Sequence, residues 1–498
     1  MRIKMILPAL SEATAPGYRT IKYSLFPPLG LATLAGHFRA DDDIEICDEH
    51  VSALHLDDEP DLVVIQVYIT SARRSYEIAD HYRARGVRVA MGGLHPTSLP
   101  EEAAAHADHL FLGPGEDTWP RFLADLAAGD PQPRYESRHR SLENIPPARR
   151  DLIQRHRYLV PNSLVVTRGC PHRCDFCYRD AFFEGGKGFY TQPVDDALAE
   201  IDRLPGKHLY FLDDHVLGHP RFACQLFTEM IGAGRVWQAA ATTRSVLQGD
   251  LVELAAAAGL RSLFVGFETL SQANLAAHSK RHNVGHDYGE VVRRLHDLGI
   301  MVHASFVFGM DGDGPDVFDR TVDWASSQGI ETATFHIMTP YPGTGLYRRM
   351  QDQGRVLHSD WDRYDTRHVV YQPHGMTPDQ LEAGYWRAYE QFYAWGSIRR
   401  AAATKPTLGQ AARHLAYSGG WRKLEPMWDL AIRYARLPAL LPVLERVLGA
   451  GGRRRSAADP STAEPTAPGT RAVGGDHGGG REAVTPPRLD GEAAALPQ

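Results

Sequence analysis

The sequence is poor in cysteine, has no excess of positive charge and has no long apolar run. It holds five cysteines in 498 residues, three of them in one loop, which argues against a disulfide framework and for a reducing compartment. Lys and Arg number 54 against 61 Asp and Glu, so the net charge of −7 does not indicate a nucleic-acid surface. No stretch approaches the roughly 18 apolar residues of a membrane span. The apolar run in residues 1–8 is too short for a secretion signal and predicts a first β-strand, so we expect a cytoplasmic protein.

Three of the cysteines, Cys170, Cys174 and Cys177, form a C-x3-C-x2-C loop that follows a buried-strand pattern at residues 163–167. A structural zinc ion takes four protein ligands, and the two remaining cysteines lie far away in the sequence. Three thiolates on a four-iron cluster leave one iron open to a substrate or cofactor. Two alternatives stay open here, a zinc knuckle completed by His172 and cysteines that share a loop by chance.

Apolar runs alternate with helix-period patterns over residues 1–135, which form a first predicted domain. The predicted strands lie at 3–7, 44–47, 62–67, 87–91 and 109–112. This order is typical of a doubly wound, flavodoxin-like parallel sheet, which binds ligands at the carboxyl ends of its strands. Glycine-rich turns follow two of those ends, at residues 92–96 and 113–116, where a ligand can approach the backbone closely. Tight turns in a fold without a cofactor are the alternative.

A proline-flanked, arginine-rich stretch at residues 136–159 predicts a linker, and strand and helix patterns alternate again over residues 160–345. The predicted strands of this second domain lie at 164–166, 209–212, 238–242, 263–267, 302–308 and 332–337. Six β/α units in a row predict an open, partial (β/α)6 barrel. In β/α barrels the chemistry lies at the carboxyl ends of the strands.

The cysteine loop, with Phe176 before its last cysteine and a strand before its first, resembles the cluster loop of radical S-adenosylmethionine (SAM) enzymes. The resemblance implies that Cys170, Cys174 and Cys177 hold a [4Fe-4S] cluster whose open iron binds SAM. It further implies SAM contacts from Tyr178 and from residues at the strand ends, namely Asp213, Asp214, Arg244, Glu268 and Gly309. Carboxylates suit the SAM amino group and an arginine suits its carboxylate, while helix caps and surface ion pairs are the alternatives.

Residues 1–135 resemble the cobalamin-binding domain that precedes many radical SAM domains. The resemblance implies cobalamin contacts from a set of strand-end residues: Tyr68, Thr70, Ser71, Gly92, Gly93, His95, Gly113, Gly115 and Glu116. Mutase-type domains bind cobalt through the His of a D-x-H-x-x-G motif, and the nearest match here, at residues 48–53, follows the second strand and lacks the glycine. We therefore expect no histidine on the lower face of the cobalt.

The region after the barrel is predicted to be a mainly helical cap over residues 346–450, followed by a disordered tail at 451–498 that is rich in Gly, Pro and Ala. Within the cap, Thr377 is a predicted helix N-cap with Pro378 at N1 and Gln380 at N3. An aromatic stripe on this helix is either core or the lining of a large apolar substrate pocket: Leu381, Tyr385, Tyr389, Phe392 and Tyr393.

Taken together, the chain resembles cobalamin-dependent (class B) radical SAM enzymes, the group that includes the hopanoid C-2 methylase. This implies a methyltransferase in which a 5′-deoxyadenosyl radical abstracts hydrogen from an unactivated position, which is then methylated from methylcobalamin. The implied partners are a small-molecule substrate (a lipid, tetrapyrrole or natural-product intermediate) and a flavodoxin- or ferredoxin-type electron donor. A cyclase or rearrangement enzyme with the same cofactors, and a non-catalytic cobalamin sensor, remain alternatives. A tRNA methylthiotransferase would need three more N-terminal cysteines, and the sequence has one.

Overall fold

The computed structural model describes residues 1–10, 25–423 and 441–449. The predicted disordered tail lies outside the described residues, as do residues 424–440 and 450 of the predicted cap. In the part of the chain that is described, no helix has the length and apolar character needed to cross a membrane.

The first domain is a six-stranded, all-parallel sheet with the order β2-β1-β3-β4-β5-β6. Its strands are β1 Arg2–Leu7, β2 Asp43–Asp48, β3 Leu62–Gln66, β4 Arg88–Gly92, β5 His109–Leu112 and β6 Arg134–Glu136. The central strands are apolar and buried, as expected for a sheet covered by helices on both faces. The doubly wound prediction is confirmed, with one strand more than the five predicted.

The sixth strand, β6, is short and charged, so no apolar run marks it in the sequence. Its middle residue, Tyr135, is fully buried and stacks on Phe111 of β5 with ring centroids 5.2 Å apart. A single buried aromatic between two charged residues is enough to hold an edge strand, but it is too weak a pattern to predict one.

The second domain is another six-stranded parallel sheet, with the order β14-β13-β12-β11-β10-β7. Its strands are β7 Ser163–Leu164, β10 His208–Phe211, β11 Val236–Ala241, β12 Leu260–Glu268, β13 Met301–Phe308 and β14 Thr332–Ile337. Each strand pairs with its neighbour in the chain, which is the arrangement of an open, partial barrel. The six predicted β/α units are confirmed.

A two-stranded antiparallel ribbon, β8 Thr167–Gly169 with β9 Phe189–Thr191, flanks the cysteine loop and was not predicted. The predicted strand at 164–166 stops at Leu164, because the backbone N–H groups of Val166 and Thr167 donate to the Asp213 carboxylate. The chain then turns from the parallel sheet into the ribbon, which brings the cysteines to the carboxyl edge of the second sheet.

Helices cover both sheets and build the cap. In the first domain they are α1 Leu29–Ala35, α2 Ala72–Arg83, α3 Leu94–Ser98, α4 Pro100–Ala104 and α5 Thr118–Ala128. In the second domain they are α6 Arg179–Phe182, α7 Val194–Arg203, α8 Pro220–Met230, α9 Thr243–Leu247, α10 Leu251–Ala257, α11 Gln272–Ala277, α12 Tyr288–Asp297 and α13 Val317–Ser327. The cap contains α14 Gly345–Asp352, α15 Pro378–Phe392, α16 Trp395–Ala403, α17 Leu408–Lys423 and α18 Leu441–Gly449.

Helix α15 begins with the predicted capping box, in which the Thr377 and Gln380 side chains exchange backbone hydrogen bonds. Its aromatic stripe packs on β14 and is core, not the lining of an open pocket. The backbone N–H of Phe335 donates to the Tyr389 hydroxyl at 3.1 Å, and that of Ala333 donates to the Tyr393 hydroxyl at 3.1 Å.

Candidate functional site

The three cysteines lie in the loop between β8 and α6, with Cys174 buried and the other two half-buried. Burial raises the pKa of each thiol, to about 11 for Cys174 and about 12 for Cys177. The backbone N–H of His172 donates to the Cys170 sulfur and that of Arg179 to the Cys177 sulfur, which favours the thiolate form. The Cys170 sulfur further raises the pKa of Cys174, and the Cys170 and Cys174 sulfurs further raise that of Cys177, as expected for neighbouring thiols. Grouped thiols with N–H donors to sulfur fit an iron–sulfur cluster.

A single metal ion is a poorer fit to this loop. Among the described residues, no three His, Cys, Asp or Glu side chains meet closely enough to hold one ion. Zinc draws its four ligands to about 2.0–2.3 Å, whereas a four-iron cluster is a wider body that keeps its ligands apart. A zinc knuckle would also need His172 as its fourth ligand.

His172 instead belongs to a histidine stack that the sequence did not predict. Its ring lies 3.6 Å from that of His282, at 11°, and 5.8 Å from that of His215, at 24°. Burial lowers the pKa of these three histidines to about 4, about 2 and about 3, in that order, so all are neutral at pH 7. The residues come from three separate loops, and only the position of His172 between two cysteines marks it in the sequence.

The neighbouring carboxylates Asp213 and Asp214, which follow β10, point in different directions. Asp213 is buried and accepts from the Thr167 backbone N–H at 2.5 Å and the Thr167 hydroxyl at 2.6 Å, so it anchors the strand before the cysteine loop. Asp214 lines a cavity and accepts a 2.9 Å hydrogen bond from the Tyr178 hydroxyl. Burial raises the pKa of both carboxyls, to about 7 for Asp213. Of these two carboxylates, Asp214 is therefore the one that is open to a ligand, and Tyr178 is its hydrogen-bond partner.

Glu268, at the end of β12, has a left-handed backbone with φ of 65° and is ion-paired with Lys280. Burial alone would lower the pKa of Lys280, but the Glu268 carboxylate and the Cys174 sulfur raise it above its ordinary value. Lys280 was missed in the sequence because it lies in a turn with no strand-end signal. It brings a buried cation to the cysteine loop.

The remaining predicted SAM residues are placed differently. Arg244 is exposed on helix α9, on the side of the histidine stack. Burial is the main cause of the lowered pKa of His172 and His282, and the positive charge of Arg244 makes a smaller contribution in the same direction. Gly309 has a positive φ of 93°, and its N–H donates to Asp313 at 3.0 Å. A Cβ on Gly309 would lie 2.7 Å from Leu381 in the cap, so this glycine permits the close approach of helix α15.

A cavity of about 570 Å³ lies at the carboxyl edge of the first sheet and extends to β8, the strand that leads into the cysteine loop. Six of the nine predicted cobalamin residues line it: Tyr68, Gly92, Gly93, Gly113, Gly115 and Glu116. The second domain contributes Thr167, Arg168, Gly169, Tyr178, Leu212 and Asp214. The glycine turns of the first domain therefore form one side of this cavity, and the residues that support the cysteine loop in the second domain form the other side.

The other three predicted cobalamin residues lie outside this lining. The Ser71 hydroxyl is buried in its own turn and donates to the Tyr68 carbonyl at 3.3 Å, and Thr70 lies in the same turn. His95 is fully buried, with Nε2 2.9 Å from Glu102. These three side chains thus lie behind the turns that border the cavity and help to hold those turns in place.

Gly93 shows why the turn after β4 needs glycine. Its φ is 119°, and a Cβ there would lie 2.6 Å from the carbonyl oxygen of Val67. Any side chain would therefore distort the backbone that borders the cavity. Gly92, one residue earlier, would place a Cβ 3.1 Å from Phe111.

The polar atoms of the cavity fit cobalamin, whose ring carries primary amide arms that donate N–H groups. Gln66 Oε1 and Glu116 Oε2 are buried, line the cavity and accept no hydrogen bond. Buried acceptors without donors are costly, so a ligand with N–H groups would relieve them. The other Glu116 oxygen accepts from Arg168 Nε at 2.7 Å and joins the first domain to β8. Sequence reasoning missed Gln66 and Arg168, although a glutamine that ends a buried strand is an available signal.

Comparison with known proteins agrees with this geometry. Residues 164–325 match the family model of the radical SAM superfamily, and residues 21–123 match that of the B12 binding domain. The bacteriochlorophyllide d C-12(1)-methyltransferase of Chlorobaculum tepidum is 29% identical over 359 residues, which cover 70% of this chain and 77% of that protein. The hopanoid C-2 methylase of Rhodopseudomonas palustris is 24% identical over 354 residues, 68% of this chain and 66% of that protein.

The fold has a solved counterpart. The radical SAM methyltransferase TsrM from Kitasatospora setae, solved with cobalamin and a [4Fe-4S] cluster bound, superposes with a TM-score of 0.61 at 15% identity. The match covers 88% of this chain and 99% of that one.

The fold and the matched domains define a radical SAM enzyme whose catalytic barrel follows a B12-binding domain. The chain belongs to the cobalamin-dependent radical SAM enzymes, the group that includes the hopanoid C-2 methylase. Its cofactors are a [4Fe-4S] cluster, SAM and cobalamin. The family and cofactor predictions from the sequence are confirmed.

Proposed function

We propose that this enzyme transfers a methyl group to an unactivated carbon of a small molecule, with all three cofactors in one connected site. The observation that carries the proposal is the cavity lined jointly by the first sheet and by the supports of the cysteine loop. In the proposed division, residues 1–135 bind cobalamin, residues 160–345 bind the cluster and SAM, and residues 346–450 cover the barrel. Two relatives, one named a methyltransferase and the other a methylase, support this choice over a cyclase or a sensor.

The cysteine loop is proposed to hold the cluster through Cys170, Cys174 and Cys177. Asp213 fixes the strand that leads into the loop, and the buried Lys280 ammonium offsets the negative charge that three thiolates bring. A nearby cation favours ionised thiols, so Lys280 acts on the chemistry through charge and not through contact with a substrate.

Asp214 is proposed to hold the amino group of SAM, because a carboxylate is the natural acceptor for an ammonium and this one faces the cavity. The Tyr178 hydroxyl orients it. Arg244, Glu268 and Gly309 stay as proposed outer contacts, with Glu268 already shared with Lys280.

When bound at Cys170, Cys174 and Cys177, the reduced cluster would supply the electron for cleavage of SAM to methionine and a 5′-deoxyadenosyl radical, and cobalamin would supply the methyl group. The protein's own part is to hold the two ligands across one small cavity and to exclude water from it. The walls that do this are apolar, with Leu7, Leu31, Leu34, Phe111, Trp119 and Phe182 among them.

The proposed substrate is a large, mostly apolar molecule such as a tetrapyrrole, a lipid or a natural-product intermediate. The named substrates of the two relatives, a bacteriochlorophyllide and a hopanoid, both have extended ring skeletons. We propose a flavodoxin or ferredoxin as electron donor. A cytoplasmic location suits the five cysteines, none of which forms a disulfide.

The test is anaerobic reconstitution with iron, sulfide and hydroxocobalamin, followed by reaction with methyl-deuterated SAM and a low-potential reductant such as dithionite. The expected products are 5′-deoxyadenosine and deuteromethyl-cobalamin, detected by mass spectrometry. Cys174→Ala should abolish deoxyadenosine formation and leave cobalamin uptake intact, because the two sites use different domains.

Cys224→Ala is the matched control, since this thiol is exposed on helix α8 and should be dispensable. Retained SAM cleavage in Cys174→Ala would refute the ligand assignment. SAM cleavage without methylation of cobalamin would favour the cyclase alternative, whose products gain no CH2.

A further inference from the structure

A second cavity of about 280 Å³ adjoins the first, and no step of the proposed function uses it. The two cavities share a wall of five residues: Leu29, Thr33, Glu116, Val165 and Arg168. The far wall of this side cavity comes from residues 142–148 and from helix α7. It is therefore a pocket between the linker and the barrel that opens beside the cobalamin cavity.

The side cavity is polar and acidic. Glu116, Asp196 and Glu200 line it, against the cations Arg168 and Arg203. Arg168 already pairs with Glu116, and Arg150 outside the lining pairs with Glu200, so a carboxylate or phosphate group placed there would compete with these carboxylates for the guanidinium groups.

The buried oxygens without donors point to the kind of group that fits. In the described residues that line the two cavities, the buried side-chain atoms without a partner are Gln66 Oε1, Glu116 Oε2 and Gln192 Oε1. All three are acceptors, two of them in the side cavity. The Glu116 side chain is 8% exposed, so water cannot easily satisfy it. Such a set selects a ligand that offers hydrogen-bond donors.

We propose that the side cavity receives one primary amide arm of the corrin ring, whose NH2 group donates to Glu116 Oε2 and Gln192 Oε1. This inference rests on the proposed function, because it assumes that cobalamin occupies the larger cavity. It assigns a positioning role to Glu116, whose other oxygen holds Arg168, two residues before Cys170. The same carboxylate then fixes the corrin and the strand that carries the cluster loop.

The test is a binding titration, followed by absorbance, with hydroxocobalamin and with derivatives in which a single amide is hydrolysed to the acid. We expect one derivative to bind the wild-type protein about 10- to 100-fold more weakly than hydroxocobalamin, because its carboxylate would face Glu116. Glu116→Gln can donate to that carboxylate while still accepting from Arg168. The Glu116→Gln variant should therefore reduce the difference in affinity between hydroxocobalamin and that derivative by about tenfold or more; we call this difference the deficit. Glu136→Gln, the same change at an exposed position of β6, should leave the deficit unchanged.

Gln192→Leu provides a second variant in case Glu116→Gln folds poorly, and should weaken hydroxocobalamin binding by about 2- to 10-fold. Equal affinity for all the derivatives would overturn the inference, as would a deficit that is the same in wild type and Glu116→Gln. Failure of the wild type to bind hydroxocobalamin at all would instead contradict the proposed function itself.

Discussion

Asp213 and Asp214 are adjacent in the sequence, yet the structure predicts that their substitution has different effects. Asp213→Ala removes the acceptor for the Val166 and Thr167 N–H groups, both in buried residues. Each buried N–H left unpaired costs about 1–3 kcal/mol, so the pair would cost roughly 2–6 kcal/mol. Because the cost falls on the strand before the cysteine loop, we expect this variant to retain little iron after reconstitution.

Asp214→Asn should behave differently, because its amide oxygen can still accept from the Tyr178 hydroxyl. We expect wild-type iron content and stability, with SAM affinity lowered by about tenfold or more through loss of the charge that pairs with the ammonium. Iron and sulfide assays, the cluster absorbance and SAM titration separate the two variants. Full iron content in Asp213→Ala, or cluster loss in Asp214→Asn, would refute the separation of roles.

Three further substitutions test the supports of the site. Gly93→Ala should cost about 1–3 kcal/mol in backbone strain alone and weaken hydroxocobalamin binding, because the new Cβ would press on the Val67 carbonyl. Lys280→Met should lower stability by roughly 3–5 kcal/mol in urea titrations, since it leaves Glu268 buried and unpaired. Glu331 is buried, and although burial would raise its pKa, nearby histidine and lysine cations hold it well below 4.5. Its contribution to stability is therefore complete above about pH 4.5 and is lost as the pH falls further, so Glu331→Gln should flatten the acid limb of the stability profile.

Each of these has a matched control or a contradicting result. Gly86→Ala also lies at a positive φ, but a Cβ there meets nothing within 4 Å, so it isolates strain from the clash. Adding Glu268→Gln to Lys280→Met should recover part of the lost stability, and no recovery would contradict the buried-pair account. An unchanged acid limb in Glu331→Gln would show that other carboxyls control acid unfolding.

The sequence was sufficient for the architecture wherever apolar runs were long. The strands β5 and β14 have the predicted bounds. The sequence did not predict β6 or the β8–β9 ribbon, because both are short and depend on partners distant in the chain. Tertiary pairing, and not local propensity, decides such segments.

Part of the functional site was predictable because its signals in the sequence are local. Glycines at strand ends face the cavity because backbone geometry demands them there, and the cysteine spacing is local. The direction of a side chain in a loop is not local information. Asp213 turns inward and Asp214 outward, and His95, which follows the same turn as Gly93, points into the core.

The strand order of the two sheets has a consequence for synthesis. In the second sheet every strand docks on the one made just before it, and the last strand of the first sheet, β6, ends 27 residues before β7 begins (163 − 136 = 27). The first sheet can thus be complete on the ribosome before the second domain is translated, since domains fold as units from the N-terminus. The glycine turns on one side of the cavity would then form first, and the wall contributed by β8 and by the supports of the cysteine loop would complete the cavity afterwards.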